Sequence, residues 1–125
     1  MNKLKTNIFL KKSWGSEIIW SLTDSYIAKT IEVHPHAQTN ILSHESREKS
    51  LIVVKGPLYL LYSPLDDSKI PEAYKLDEGW SWFIEPKYMY CYMAKENPVT
   101  LIEVSTADLD DGNIIVSEEH LEKEN

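Results

Sequence analysis

The sequence predicts an all-β fold, a sandwich or a closed barrel, on three observations. Short segments with period-two alternation recur along the chain, turn residues separate them, and little of the chain reads as helix. Ser25 to Val33 shows the alternation best: Tyr26, Ala28 and Thr30 fall on one face, and Ile27, Lys29, Ile31 and Val33 on the other. That is the pattern of a half-buried strand.

The remaining elements follow from the same period. Glu17–Leu22 precedes Ser25–Val33, and the His34-Pro35-His36 turn leads into a strand over Thr39–His44. Ser50–Lys55 and Leu58–Ser63 flank Gly56-Pro57, and Pro64 with Asp66-Asp67 ends that hairpin. Ala73–Leu76, Ser81–Ile84, Met89–Ala94 and Val99–Ser105 complete the set, separated by Asp77-Glu78-Gly79 and Asn97-Pro98. A helix is expected only at the ends, above all over Ile115–Lys123.

A length of 125 residues suits one domain with its own core. The barrel is expected over about 12–106, with a short acidic extension over about 107–125. Of the 20 acidic and 13 basic residues, eight and one respectively fall from Glu103 onward, so the net charge of −7 lies in that segment. What precedes it is balanced, so no basic surface for nucleic acid is expected. Cys91 is the only cysteine, which excludes an intrachain disulfide and suits a cytoplasmic protein. Met1 to Lys5 has the charge of a signal-peptide start, but Asn7, Lys11, Lys12 and Ser13 interrupt the apolar stretch that should follow. No run nears the roughly twenty apolar residues of a membrane span, so no membrane partner is expected.

Two motifs about thirty residues apart carry the chemistry. Ser43-His44-Glu45-Ser46-Arg47-Glu48-Lys49 runs into Leu51-Ile52-Val53-Val54 and Gly56; Gly79-Trp80-Ser81-Trp82-Phe83-Ile84-Glu85-Pro86 is followed by Tyr88, Tyr90 and Tyr92. The first, with Pro35, resembles "P-G-G-x-L-S-L-Q-x-H-x-x-R-x-E-x-W-x-V-V-x-G" of the cupin domain at the C-terminus of type II mannose-6-phosphate isomerase/mannose-1-phosphate guanylyltransferases. The second resembles that family's "G-D-x-x-x-I-P-x-G-x-x-H-R". Lys12-Ser13-Trp14-Gly15-Ser16-Glu17 resembles its opening, and Leu101-Ile102-Glu103-Val104-Ser105 its "L-I-E-V-Q". The resemblance runs from about Lys12 to about Glu119 and implies a cupin, a double-stranded β-helix or jelly roll. Guanylyltransferase activity is not expected of a cupin domain alone.

The resemblance also implies a metal held by a glutamine or histidine, a histidine, a glutamate and a second-motif histidine. Here those positions are Leu42, His44, Lys49 and Tyr90. A divalent ion needs several lone-pair donors at about 2 Å, and an ammonium at Lys49 repels it. Leu42 donates nothing, and Tyr90 must ionise from a pKa of about 10. No cofactor is therefore expected. A divalent metal is expected at His44 only if Glu48, through a bulge, or His36 joins it; the alternative for His34 and His36 is the barrel rim.

Arg47 is the only arginine and falls on the arginine of the family run. Its fork can bind phosphate or carboxylate, or pair with Glu45 or Glu48. Alternation puts Arg47 and Lys49 on one face, where they would form a cationic site. Trp80 with Trp82, and Tyr88 with Tyr90 and Tyr92, suit either a ligand wall or a core. Trp14 and Trp20 are expected to cap the barrel or lie between subunits, and Cys91 to face away from the lumen.

The expected function is a metal-poor binding barrel in sugar-phosphate or polysaccharide metabolism, holding a sugar or sugar phosphate with Arg47, Tyr90, Trp82, Tyr92, His44 and Lys49. One alternative is an aldose–ketose isomerase of the mannose-6-phosphate type, with His44 as base and Lys49 as electrophile. Another is a non-catalytic interaction or structural cupin with a packed lumen. A homodimer through an edge strand is expected in each case. No nucleophile elbow, Walker loop, dinucleotide fingerprint or C-x-x-C pair is present.

Overall fold

The computed structural model describes residues 7–65, 71–107 and 114–115. Its strands are β1 (Ile8–Lys12), β2 (Gly15–Leu22), β3 (Tyr26–Val33), β4 (Leu42–Ser43), β5 (Lys49–Lys55), β6 (Leu58–Pro64), β7 (Glu72–Leu76), β8 (Ser81–Ile84), β9 (Tyr88–Met93), β10 (Val99–Thr106) and β11 (Ile114–Ile115). They form two antiparallel sheets, β1-β2-β3-β10-β5-β8 and β11-β4-β9-β6-β7. No helix occurs among the described residues. The all-β jelly-roll expectation holds.

Four details differ from the sequence reading. Strand β1 was not expected: all five of its residues are exposed, so it has no buried face to pattern, and its pairing with β2 holds it. The strand expected over Thr39–His44 shortens to Leu42–Ser43, although Gln38 still bridges Met93. Ile115 lies in β11 rather than a helix, and the rest of the helix expected over Ile115–Lys123 lies outside the described residues. Trp80 precedes β8 and is 52% exposed, so it does not share a strand face with Trp82.

The strands bury one face each, and that face changes character along its length. In β10 the inward residues are Val99, Leu101, Glu103 and Ser105; in β5 they are Lys49, Leu51 and Val53. In β3, Ile31 and Val33 are inward and buried, and Lys29 shares their face. Antiparallel register then gathers like with like. Val99 lies opposite Val33, and Leu101 lies between Ile31 and Val53. Glu103 lies opposite Lys29, and Ser105 opposite Lys49. One end of the barrel therefore packs as an apolar core with Leu58, Leu60, Leu76 and Tyr92. Each fully buried leucine contributes about 1.5–3 kcal/mol there. The other end is polar.

Trp14 is buried in this core rather than capping the barrel from outside. It sits in the β1–β2 turn, and Gly15 behind it lets the chain pass Glu32: a Cβ there would lie 1.9 Å from the Glu32 carbonyl oxygen. Trp20, by contrast, is exposed. Cys91 alternates away from Tyr90 and is buried in a second small cluster with Ile41 and Met89.

Candidate functional site

At the polar end the two sheets enclose a cavity of about 320 Å³. Among the described residues four cations, Lys12, Lys29, Arg47 and Lys49, line it with two carboxylates, Glu17 and Glu103. Trp14, Tyr90 and Tyr92 form its aromatic wall, and Thr39 and Asn40 contribute polar groups.

A continuous chain of polar contacts crosses this space. Lys29 Nζ binds Glu17 at 3.1 Å and lies 3.8 Å from Glu103 Oε1. Lys49 Nζ lies 3.3 Å from the same Glu103 oxygen and donates a 2.6 Å hydrogen bond to the Tyr90 hydroxyl. That hydroxyl is 2.8 Å from His44 Nε2. Tyr92 donates its hydroxyl proton to the other Glu103 oxygen. His44, Lys49, Glu103, Tyr90 and Tyr92 are all buried, so these contacts act in a low local dielectric.

Burial sets the protonation states unless a charge opposes it. It pushes the Tyr90 phenol well above its ordinary value, with the Glu103 carboxylate adding to the effect. Tyr92 is raised for the same two reasons. Burial also raises the Glu103 carboxyl, but Lys49 and Lys29, with hydrogen bonds from Tyr92 and Lys49, hold it below the usual carboxylate range. At neutral pH the site thus contains a carboxylate and two neutral phenols.

The expected site residues separate into two groups. Arg47, Lys49, Tyr90 and Tyr92 line the cavity, and His44 reaches it through Tyr90. Trp82 does not line it: the Trp82 ring packs edge-on against Tyr62 at 5.4 Å and near Tyr74 at 5.0 Å, away from the charged end. Tyr88 stacks on Tyr62 in that same cluster. Glu48 is exposed and lies along a shallow outer depression with Phe83 and Val104. No bulge at Glu48 turns it inward: Lys49 keeps the inward place by register with Ser105 and Ile84. His34 and His36 are exposed in a turn at the rim, with His36 at a positive φ of 63°. Glu48 and His36, the partners a metal at His44 would need, are thus both exposed. Among the described residues no three histidine, cysteine or acidic side chains gather as a metal would need.

The metal that the sequence resemblance implies therefore does not fit the donors present among the described residues. Lys49 brings an ammonium and Tyr90 a phenol raised well above its ordinary value to two of the positions where ligands are implied.

Lys29, Glu17 and Glu103 lie outside the motifs that frame the other site residues, although the sequence carries signals for Lys29 and Glu103. Lys29 shares a strand face with Ile31 and Val33, and Glu103 alternates with Leu101. A charge on an otherwise apolar inner face requires a buried partner. Glu103 was instead counted with the acidic C-terminal segment.

The sequence matches no protein-family model and no curated protein. Solved structures do match. The capsular polysaccharide assembling protein CapF from Staphylococcus aureus superposes with a TM-score of 0.78 at 13% identity, over 89% of this chain and 34% of that one. A sugar phosphate isomerase of the cupin superfamily from Silicibacter pomeroyi superposes at 0.64 and 14%, over 76% of this chain and 60% of that one. KdgF from Halomonas sp. superposes at 0.67 and 15%, over 82% and 90%. The chain thus spans about a third of the CapF structure. Together with the two-sheet topology, these likenesses define the chain as a cupin-fold barrel. They do not single out the mannose-6-phosphate isomerase domain among cupins. No helix among the described residues is long and apolar enough to cross a membrane.

Proposed function

We propose that this protein binds a small anionic carbohydrate, a sugar phosphate or sugar acid, in its charged cavity without a metal. The observation that carries the reading is that, among the described residues, four cations and two carboxylates line the cavity. A lining of this composition attracts an anion, and Arg47 carries the planar fork that phosphate and carboxylate accept. Asn40 adds a second reason: it lines the cavity, and its buried Oδ1 has no hydrogen-bond partner. A ligand hydroxyl supplies the missing donor. Trp14 adds apolar lining for the body of a sugar. The structural likeness to a sugar phosphate isomerase and to a capsular polysaccharide assembling protein supports a role in carbohydrate metabolism. A cavity of this size weighs against the packed lumen of a purely structural cupin.

The test is a thermal-shift comparison of mannose 6-phosphate, gluconate and neutral mannose with wild type and Arg47→Met. The reading expects the two anions to raise the Tm of wild type, mannose to leave it unchanged, and the variant to lose the response. Equal responses to mannose and its phosphate would contradict it.

Aldose–ketose isomerisation is a second reading, favoured by the His44–Tyr90–Lys49 chain of 2.8 and 2.6 Å contacts. In it His44 exchanges protons through Tyr90 rather than touching the substrate, because Tyr90 lines the cavity. An isomerase rate unchanged in both His44→Ala and Lys49→Ala rules this reading out.

A further inference from the structure

We propose that Lys49 is a nucleophilic amine that condenses with the aldehyde of an open-chain sugar in the cavity, forming an imine, while His44 takes and returns the proton through Tyr90. The inference rests on the binding reading for its ligand and on separate geometry for its chemistry. Two observations carry it.

Lys49 combines burial with access. It is 5% exposed, yet it lines the cavity where a ligand would lie. Lysine becomes a nucleophile when it is desolvated or set beside another cation. Lys49 is desolvated, and a second lysine is close by, since Lys29 and Lys49 approach the same Glu103 oxygen at 3.8 and 3.3 Å.

The ammonium also has a route for its proton. Tyr90 oxygen accepts from Lys49 at 2.6 Å, and the single phenolic proton can point to His44 Nε2 at 2.8 Å. Moving both protons one step along the chain leaves a neutral Lys49 amine and a protonated His44. Tyr90 remains a phenol throughout, as its burial requires. Lys29 lacks this route: its polar contacts are Glu17 and Glu103, both carboxylates. The geometry therefore singles out one of two neighbouring lysines.

The step balances without an oxidant or reductant. The Lys49 lone pair forms a bond to the aldehyde carbon, and the carbonyl π electrons move to oxygen. A proton passes from nitrogen to that oxygen, giving a carbinolamine. The proton held on His44 returns through Tyr90 to the hydroxyl, the C–O bond breaks, and water leaves as the nitrogen lone pair forms the C=N bond. Ammonium plus aldehyde become a protonated imine plus water, with one positive charge before and after. Glu103, 3.3 Å from Nζ, balances that charge in both states. The aldehyde class follows from this chemistry, and the cationic lining selects aldehydes carrying an anionic group.

The test uses the full chain with D-erythrose 4-phosphate, whose phosphorylated 4-hydroxyl cannot close a furanose ring, so its aldehyde stays free. Cyanoborohydride traps the imine as an amine, and peptide mass mapping locates it. The expected adduct adds the mass of the sugar phosphate less one oxygen atom, and it forms on Lys49 at least about tenfold faster than on exposed Lys55, Lys75, Lys87 or Lys95. Tyr90→Phe keeps the Lys49–Glu103 ion pair and cuts the proton route, so it should slow labelling of Lys49 on the order of a hundredfold. Labelling confined to exposed lysines overturns the inference, as does Lys49 labelling at the wild-type rate in Tyr90→Phe and His44→Asn. A parallel thermal shift without reductant separates the two levels. A shift with no Lys49 adduct overturns the imine alone, whereas neither shift nor adduct overturns the binding reading as well.

Discussion

Lys49 donates a 2.6 Å hydrogen bond to the Tyr90 hydroxyl, and the two residues stand on facing sheets at two of the positions where the sequence resemblance implies metal ligands. A side chain-to-side chain bond thus joins the sheets at that point. Phenol and ammonium together hold His44 on one side and Glu103 on the other.

Removing the hydroxyl tests how much that bond stabilises the barrel. Tyr90→Phe leaves buried His44 Nε2 and Lys49 Nζ each short of one partner, so unfolding in urea should show a loss of about 1–3 kcal/mol. A change below a few tenths would mean that the bond contributes nothing net.

Glu103 is the anion on which two lysines and a tyrosine converge, and its loss should cost more. Glu103→Gln keeps the volume and leaves buried Lys49 without its counter-charge. Breaking one side of a buried pair costs about 3–5 kcal/mol. Denaturant midpoints should fall accordingly, whereas Glu45→Gln, at an exposed 3.8 Å pair with Lys87, should move the midpoint by less than about 1 kcal/mol.

The same groups define a pH window. The Glu103 carboxyl is lowered on folding, so its contribution is present above the unfolded value of about 4.3 and fades as pH falls through the folded one. Tyr90 and Tyr92 are raised, so their contribution holds below about 10 and fades as pH rises toward their folded values. Stability governed by these groups should be flat between about pH 5 and 10 and fall on both sides. Glu103→Gln should flatten the acid limb and, because the Glu103 charge adds to the rise of both phenols, also soften the alkaline one, which urea titrations across the range will show.

Backbone constraints give a sharper contrast. Gly15→Ala places a Cβ 1.9 Å from the Glu32 carbonyl oxygen at φ +155°, so the β1–β2 turn must shift and with it Trp14. The expected loss is at least about 2 kcal/mol. Gly79 also has a positive φ, +87°, but a Cβ there meets nothing within 4 Å. Gly79→Ala should cost only about 1 kcal/mol. Thermal midpoints of the two variants should differ clearly.

What was legible in the sequence follows from what alternation can encode. Strands with one buried face, such as β3 and β10, carry their period in the side chains, so their positions and inward residues could be read. Strand β1 exposes every residue and is defined by pairing with β2 alone, which leaves no pattern to find. Arg47, Lys49 and Tyr90 were legible because a motif framed them. Trp82 was assigned to the ligand wall because an inward aromatic reads the same in a core as in a pocket, and only the packing against Tyr62 and Tyr74 decides. Glu103 and Lys29 escaped because their pairing spans two strands, β3 and β10, with 73 residues between them in sequence. Register, which joins such distant residues, is a tertiary property.

The central claim is that a cationic cavity, with no metal, binds an anionic sugar. Calorimetric titration of mannose 6-phosphate into protein pre-treated with EDTA, repeated with zinc or manganese added, tests it most directly. The account predicts saturable binding in EDTA, unchanged by either metal and lost in Arg47→Met. Binding that appears only when metal is present would contradict it.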